Sequence, residues 1–181
     1  MDTGTRTSGA SAPPGAPGAV PVLSGDDAVV AFLRSIELAG VRLYAAGAPF
    51  LVSPVAQTVA DAFRAHHGAH STDLAALSGG AGVVANQALL ANMAPSMQTV
   101  TSEQDELALL YAFEEQLAAT YQWAMGRLND AGTLGEAAAI LPVECQHAVV
   151  LGTLLEKTRE SLIAAFQTDV GYLNPDDFPL R

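Results

Sequence analysis

Cationic side chains are scarce in this chain. Eight lysines and arginines stand against 19 aspartates and glutamates, a formal net charge of −11. Such a surface repels phosphate backbones and anionic lipid, which sets aside nucleic acid and anionic membranes as partners. Cysteine is limited to Cys145, so an intrachain disulfide is excluded and redox compartment is not fixed by thiol content. No run of 18 or more consecutive apolar residues occurs, and no segment reads as a membrane span. Residues 1–23 lack the basic start and apolar centre of a secretion signal; the expected compartment is the cytoplasm, with export from a trimmed precursor left open. Alternating β-branched runs are also lacking. Alanine and leucine dominate a chain that is 50% hydrophobic, which points to an all-α fold with a real core.

Apolar residues recur at steps of three and four along four long stretches. The first helix is expected to start at a cap on Ser24 or Asp26 and to end near Gly47. Its stripe is Val29, Leu33, Ile36, Val41 and Leu43, with Glu37 inside it. The second opens at Ser53-Pro54, a cap followed by proline in the first turn, and runs to about Leu77. Its stripe is Val55, Val59, Phe63, His67, His70, Leu74 and Leu77, with His66 close to the same face. Residues 79–101 form a connection too long for a tight turn and long enough to run the length of a bundle, with a short helix over 86–93 stopped by Pro95. The third long helix begins at Thr101, with a capping box to Gln104, and carries Leu107, Leu110, Glu114, Leu117 and Tyr121. The fourth spans 134–166, with Pro142 inside it and a stripe of Ile140, Glu144, His147, Leu151 and Leu154. The domain layout is a disordered Gly/Ala/Pro-rich tail over 1–23, a helical bundle over 24–168 and an extended tail over 169–181.

One offset relates the two halves. Glu37, Tyr44, His67 and His70 map onto Glu114, Tyr121, Glu144 and His147 by 77 residues each, and Leu74 and Leu77 map onto Leu151 and Leu154. This reads as a diverged internal duplication. Its polar members are of metal-ligand type and occupy core stripes. Residues at i and i+3 share a helical face, so His67 with His70, and Glu144 with His147, are able to serve one centre. Burying three carboxylates uncompensated would cost several kcal/mol each, roughly, and a divalent cation offsets that cost. Protonated His67, His70 and His147 opposite Glu37, Glu114 and Glu144 would balance the charge without an ion.

The arrangement resembles the ferritin-like di-iron carboxylate superfamily, in which Glu, Glu-x-x-His, Glu and Glu-x-x-His lie on successive helices of a four-helix bundle. The resemblance covers nearly everything from Ser24 to about Phe166. The run from Ile140 to Gly152, with His66, His67 and His70, is similar to a bacterial ferritin-like branch of poorly defined function. It implies one long crossover between the second and third long helices. Glu37 and Glu114 become terminal ligands, His70 and His147 imidazole ligands, and Glu144 a bridging carboxylate. His67 departs from the pattern, standing where the family has its second bridging Glu. A single ion, an asymmetric pair or a zinc-like site all stay open there, as does the choice of His66 or His67 as ligand. The implied cofactor is iron, one or two ions, with zinc or manganese as alternatives. The implied activity is an O2- or peroxide-dependent oxidase or ferroxidase. A second class of reading is a helical binding or structural module with a structural metal or none. Metal ions are the expected partners, and a homodimer or other homo-oligomer stays open.

Other residues carry weaker signals. Tyr44 and Tyr121 lie two turns beyond the glutamates, about 10 Å in rise, too far to be ligands but suited to core packing with their hydroxyls satisfied. Glu115 reads as a solvated or supporting acid, Cys145 as an inert thiol, and Phe113 and Trp123 as packing. Asp73, Glu103 and Asp105 read as surface charges. Gly40 leaves open either room beside the site or close helix packing.

Overall fold

The computed structural model describes residues 25–78, 82–162 and 171–180. The expected tail over 1–23 lies outside them. The elements are α1 (Asp26–Gly47), a 3-10 turn (Ala48–Phe50), α2 (Pro54–Leu77), α3 (Gln87–Gln98), α4 (Glu103–Met125), α5 (Ala131–Leu154) and α6 (Arg159–Leu162). No strand occurs among the described residues.

Short turns fold α1 onto α2 and α4 onto α5, and the two hairpins meet through α1–α4 and α2–α5. Contacts along α1 and α4 run in opposite order. Asp26 accepts hydrogen bonds from the backbone of Asn129 and Asp130 at one end, and the Glu106 carboxylate lies against Gly47 at the other. The two helices are therefore antiparallel. Glu103 caps the far end by accepting from the backbone N–H of Val52 and Ser53 at 2.6 and 2.7 Å, so it is a clasp on the α1–α2 turn rather than a bare surface charge. With both hairpins antiparallel, the α2-to-α4 connection travels from one end of the bundle to the other. α3 lies within it, packed on α1 and α4 and tethered where Asn86 N–H donates to the Ser35 carbonyl at 2.9 Å.

The core has two apolar clusters. One gathers Leu33, Ile36, Leu74, Leu117, Tyr121 and Ile140; the other gathers Tyr44, Leu51, Phe63, Leu107, Leu110 and Leu151. On α2, α4 and α5 the clusters part at His67–His70, Glu114 and Glu144–His147, so the polar residues form a layer between two greasy halves. Residues 171–180 lie on the bundle. Leu173 is buried, its N–H donates to Thr120 Oγ1 at 2.9 Å, and Tyr172 stacks on Trp123 at 5.3 Å. α5 is long and apolar enough by length and composition to cross a membrane, but it carries buried Glu144 and His147 in this layer and serves here as a core helix.

Several boundaries differ from the sequence expectation. The position before α1 is Gly25, which has no side chain to cap with, and the Asp26 carboxylate is committed instead to Asn129 and Asp130. Ser24 lies outside the described residues. Pro95 sits inside α3 rather than stopping it: its fixed φ suits a helix, and only the bond back to residue 91 is lost. Ser102, one residue later than expected, caps α4 and accepts from Asp105 N–H at 3.1 Å. On α2 the buried face starts at Ala56 and Ala60, leaving Val55 60% exposed. Those positions keep the steps of four and three that lead through Phe63 to His67 and His70.

The largest difference is the end of α5 at Leu154 rather than near 166. Lys157 N–H bonds to the Gly152 carbonyl and Glu156 N–H to the Thr153 carbonyl, the paired closure of a Schellman motif. That closure needs a left-handed residue, and Glu156 supplies it at φ 55°. Glycine is the usual signal for such a stop, and its absence hid the end. Residues 163–166, the last part of the expected helix, lie outside the described residues. Replacing Glu156 by glycine removes the steric cost of a left-handed side chain. Glu156→Gly is expected to raise stability in urea unfolding by about 0.5–1 kcal/mol, against a cost in chain entropy that reduces the gain; a loss of stability contradicts this account of the helix end.

Candidate metal centre

Each of the four long helices delivers its share by the spacing that built its apolar stripe. Glu37 comes from α1, His67 and His70 from α2, Glu114 from α4, and Glu144 and His147 from α5. The structure brings all six together. Glu37, His67, Glu114 and Glu144 are fully buried, His147 is 1% exposed and His70 is 9% exposed.

The six close into a ring in which carboxylate and imidazole alternate. Glu37 faces His67 Nδ1 at 2.8 Å, and His67 Nε2 faces Glu114 at 3.1 Å. Glu114 faces His147 Nδ1 at 3.4 Å, which also meets Glu144 at 3.0 Å. Glu144 Oε1 meets His70 Nδ1 at 2.8 Å, and that nitrogen lies 3.6 Å from Glu37. Two four-residue groups fall within the ring, Glu37–His67–His70–Glu144 and His67–Glu114–Glu144–His147. In each, one ligand atom per residue lies within 4.8 Å of all the others.

Two tyrosines lock the carboxylates from opposite sides. Tyr44 donates to Glu114 and Tyr121 donates to Glu37, each across the bundle to the other hairpin. Helical side chains lean toward the N-terminus of their helix, which carries each hydroxyl back over the two turns that separate it from the polar layer. The tyrosines are thus both core packing and direct partners of the glutamates.

Burial sets the electrostatics, and the neighbours decide its sign. At His67, His70 and His147 burial works against the charged ring, but the facing carboxylates outweigh it and raise all three, His70 to about 9. Burial likewise works against charge on Glu37 and Glu114, yet the imidazoles hold both below the ordinary carboxylate range. Glu144 goes the other way: burial, then repulsion by Glu37, pushes it up despite its two imidazole partners.

The donor set also fits a cation. His70 Nδ1 and Glu144 Oε1 are buried and 2.8 Å apart, yet neither makes a properly directed hydrogen bond. Two buried polar atoms side by side and misaligned for a hydrogen bond are placed as two ligands of one ion are placed, and their ion pair lacks the directed hydrogen bond that would complete it.

Other side chains surround the ring, and of these only Glu106 was not singled out in the sequence. His66 is exposed on α2 but turns Nδ1 to within 2.9 Å of His147 Nε2, so it supports His147 from outside the ring. The space at Gly40 is taken by His67: a Cβ there would sit 3.1 Å from the ring Cγ. Glu106 is 2% exposed, has an unpartnered Oε1 and is raised by burial to about 7. Its place beside other acids at the start of α4 hid it among surface charges. Glu115 accepts from Tyr111. Cys145 lines an outer cavity with Tyr111 and Glu115, and burial, then Glu144, pushes its thiol up, which disfavours the thiolate.

A family model described as Ferritin-like domain matches residues 25–157. No curated protein and no solved structure matches the chain.

The shifts set a pH window for the metal-free protein. The three imidazoles contribute stability that is complete below their ordinary value of 6.5 and is lost as pH rises through the raised values, about 9 for His70. Glu37 and Glu114 contribute above 4.5 and lose it as pH falls, whereas the raised Glu144 contributes below 4.5 and loses it as pH rises. Melting temperature measured after chelation is expected to peak between about pH 5 and 6.5 and to fall steadily toward pH 10. A flat or rising profile over that alkaline range contradicts the ring of charged imidazoles.

Proposed function

The chain belongs to the ferritin-like domain family, and from that premise we propose that it is an iron-binding protein whose bundle core supports O2- or peroxide-dependent oxidation. The observation that carries this reading is the pair of buried four-residue Glu/His groups, one of them with two ligand atoms that make no directed hydrogen bond. Carboxylate and imidazole together suit iron, and they also suit manganese and zinc. Iron held there supplies one-electron redox chemistry with O2 or peroxide.

The chain's own residues do the rest. Glu144 spans the two groups with one oxygen toward each imidazole. Tyr44 and Tyr121 fix Glu114 and Glu37 by donated hydrogen bonds and keep the oxygens aimed inward. Phe63, stacked on His147 at 3.9 Å, helps to exclude bulk water on that side. A cavity of about 230 Å³ walled by Tyr44, Leu51, Gln57 and Asp61 reaches within one side chain of Glu114.

A second reading has its own observation. The ring balances three carboxylates with three raised imidazoles, so the bundle is able to stand as a structural or binding module with no redox role. Anaerobic Fe(II) titration separates the two. The oxidase reading expects at least one equivalent bound, a higher melting temperature, and ferric absorbance on admitting O2 that Glu144→Ala abolishes. Less than one equivalent of any transition metal with no thermal gain sinks it, and stoichiometric zinc with no reaction toward Fe(II) and O2 favours the structural module.

A further inference from the structure

Position 67 makes the two buried groups chemically unequal. Both share Glu144 and His67. Glu144 presents one oxygen to each, Oε1 at 2.8 Å from His70 Nδ1 and Oε2 at 3.0 Å from His147 Nδ1. His67 also presents one atom to each, Nδ1 at 2.8 Å from Glu37 and Nε2 at 3.1 Å from Glu114. The resemblance ends there. A carboxylate keeps lone pairs on both oxygens at once, whereas a neutral imidazole has one lone-pair nitrogen and one N–H. His67 therefore completes one group, and in doing so turns its N–H toward the carboxylate of the other.

The hydrogen bonds indicate which group is completed. In the Glu114 group every ligand atom already has a partner. His147 Nδ1 faces Glu114 and Glu144, His147 Nε2 meets His66, and Glu114 receives Tyr44 and His67. In the Glu37 group, His70 Nδ1 and Glu144 Oε1 face each other at 2.8 Å as an ion pair but make no directed hydrogen bond. We propose that the chain binds a single transition-metal ion on Glu37, His70, Glu144 and Nδ1 of His67, and that Glu114 holds the second nitrogen of His67 as a hydrogen-bond acceptor instead of ligating a second ion. The inference rests on the metal-binding reading above and specifies its stoichiometry and side.

An N–H of a ligating histidine held by a carboxylate is a common device for fixing the ring and raising its basicity. His67 Nε2 and Glu114 have that geometry, and Tyr44 steadies Glu114 behind them. The fold is shaped to keep an imidazole at this position. Gly40 gives the ring its space, with room for no Cβ without displacement, while the residue 77 positions later is Leu117, buried in an apolar cluster.

Metal content after loading with Co(II) and desalting tests the stoichiometry, and competitive Co(II) titration tests the side. Wild type is expected to hold one ion per chain and His67→Glu two. Glu37→Gln is expected to weaken Co(II) binding by more than about 100-fold, and Glu114→Gln, which still accepts from His67, by about 10-fold or less. No Co(II) in wild type overturns the metal-binding reading itself. Two ions in wild type, or a larger loss for Glu114→Gln than for Glu37→Gln, overturns this inference and leaves that reading standing. If His67→Glu does not fold, the wild-type count and the two carboxamide variants decide the question.

Discussion

Three carboxylates without solvent are the constraint on which this bundle rests. Glu37, Glu114 and Glu144 are fully buried, and each must be met by positive charge or directed donors or it will not stay ionised. The ring of alternating imidazoles and the two tyrosines meet that demand at Glu37 and Glu114, while Glu144 stays raised and short of directed donors. Much of the tertiary arrangement follows. Every long helix must place a polar residue at one level, the apolar clusters must part there, and each hairpin must send a tyrosine across to the other. A bundle of the same helices with apolar residues in this layer would pack as well and would have no reason to keep Tyr44 and Tyr121 pointing inward.

The helical framework was legible because it is written in period. Steps of three and four identify the faces of α1, α2, α4 and α5, and the same steps carry the polar six, so a residue that interrupts a stripe is already placed in the core. The all-α fold follows from that pattern, whereas membership of the ferritin-like family rests on the family match over residues 25–157. What the sequence hid has specific causes. A left-handed Glu156 ends α5 where glycine would have announced it. Pro95 continues α3 because proline's torsion is helical and only one bond is lost. Glu103 and Glu106 lie in an acidic cluster that reads as solvated, yet one caps the opposite turn and the other is buried against Gly47. Each depends on a contact between segments distant in sequence, and local pattern holds no record of it.

The site divides in the same way. Periodicity shows that six side chains share a layer, but not which atoms face each other. Tyr44 and Tyr121 looked remote from the glutamates when measured along the axis. Only the lean of a side chain toward its helix N-terminus brings their hydroxyls back. The pairing of Gly40 with His67 was equally silent, since a glycine in a helix reads as either close packing or room. Together these details make the layer asymmetric: Glu144 serves two neighbours with two equivalent oxygens, and His67 serves two with inequivalent nitrogens.

The central claim is that this layer is organised around a metal ion and is not merely self-neutralised. Diffraction from crystals grown with Fe(II), collected above and below the iron absorption edge, tests it most directly. The account predicts an anomalous peak inside the ring, within bonding distance of His70 Nδ1 and Glu144 Oε1. Full-occupancy side chains in the same ring with no anomalous peak would contradict it.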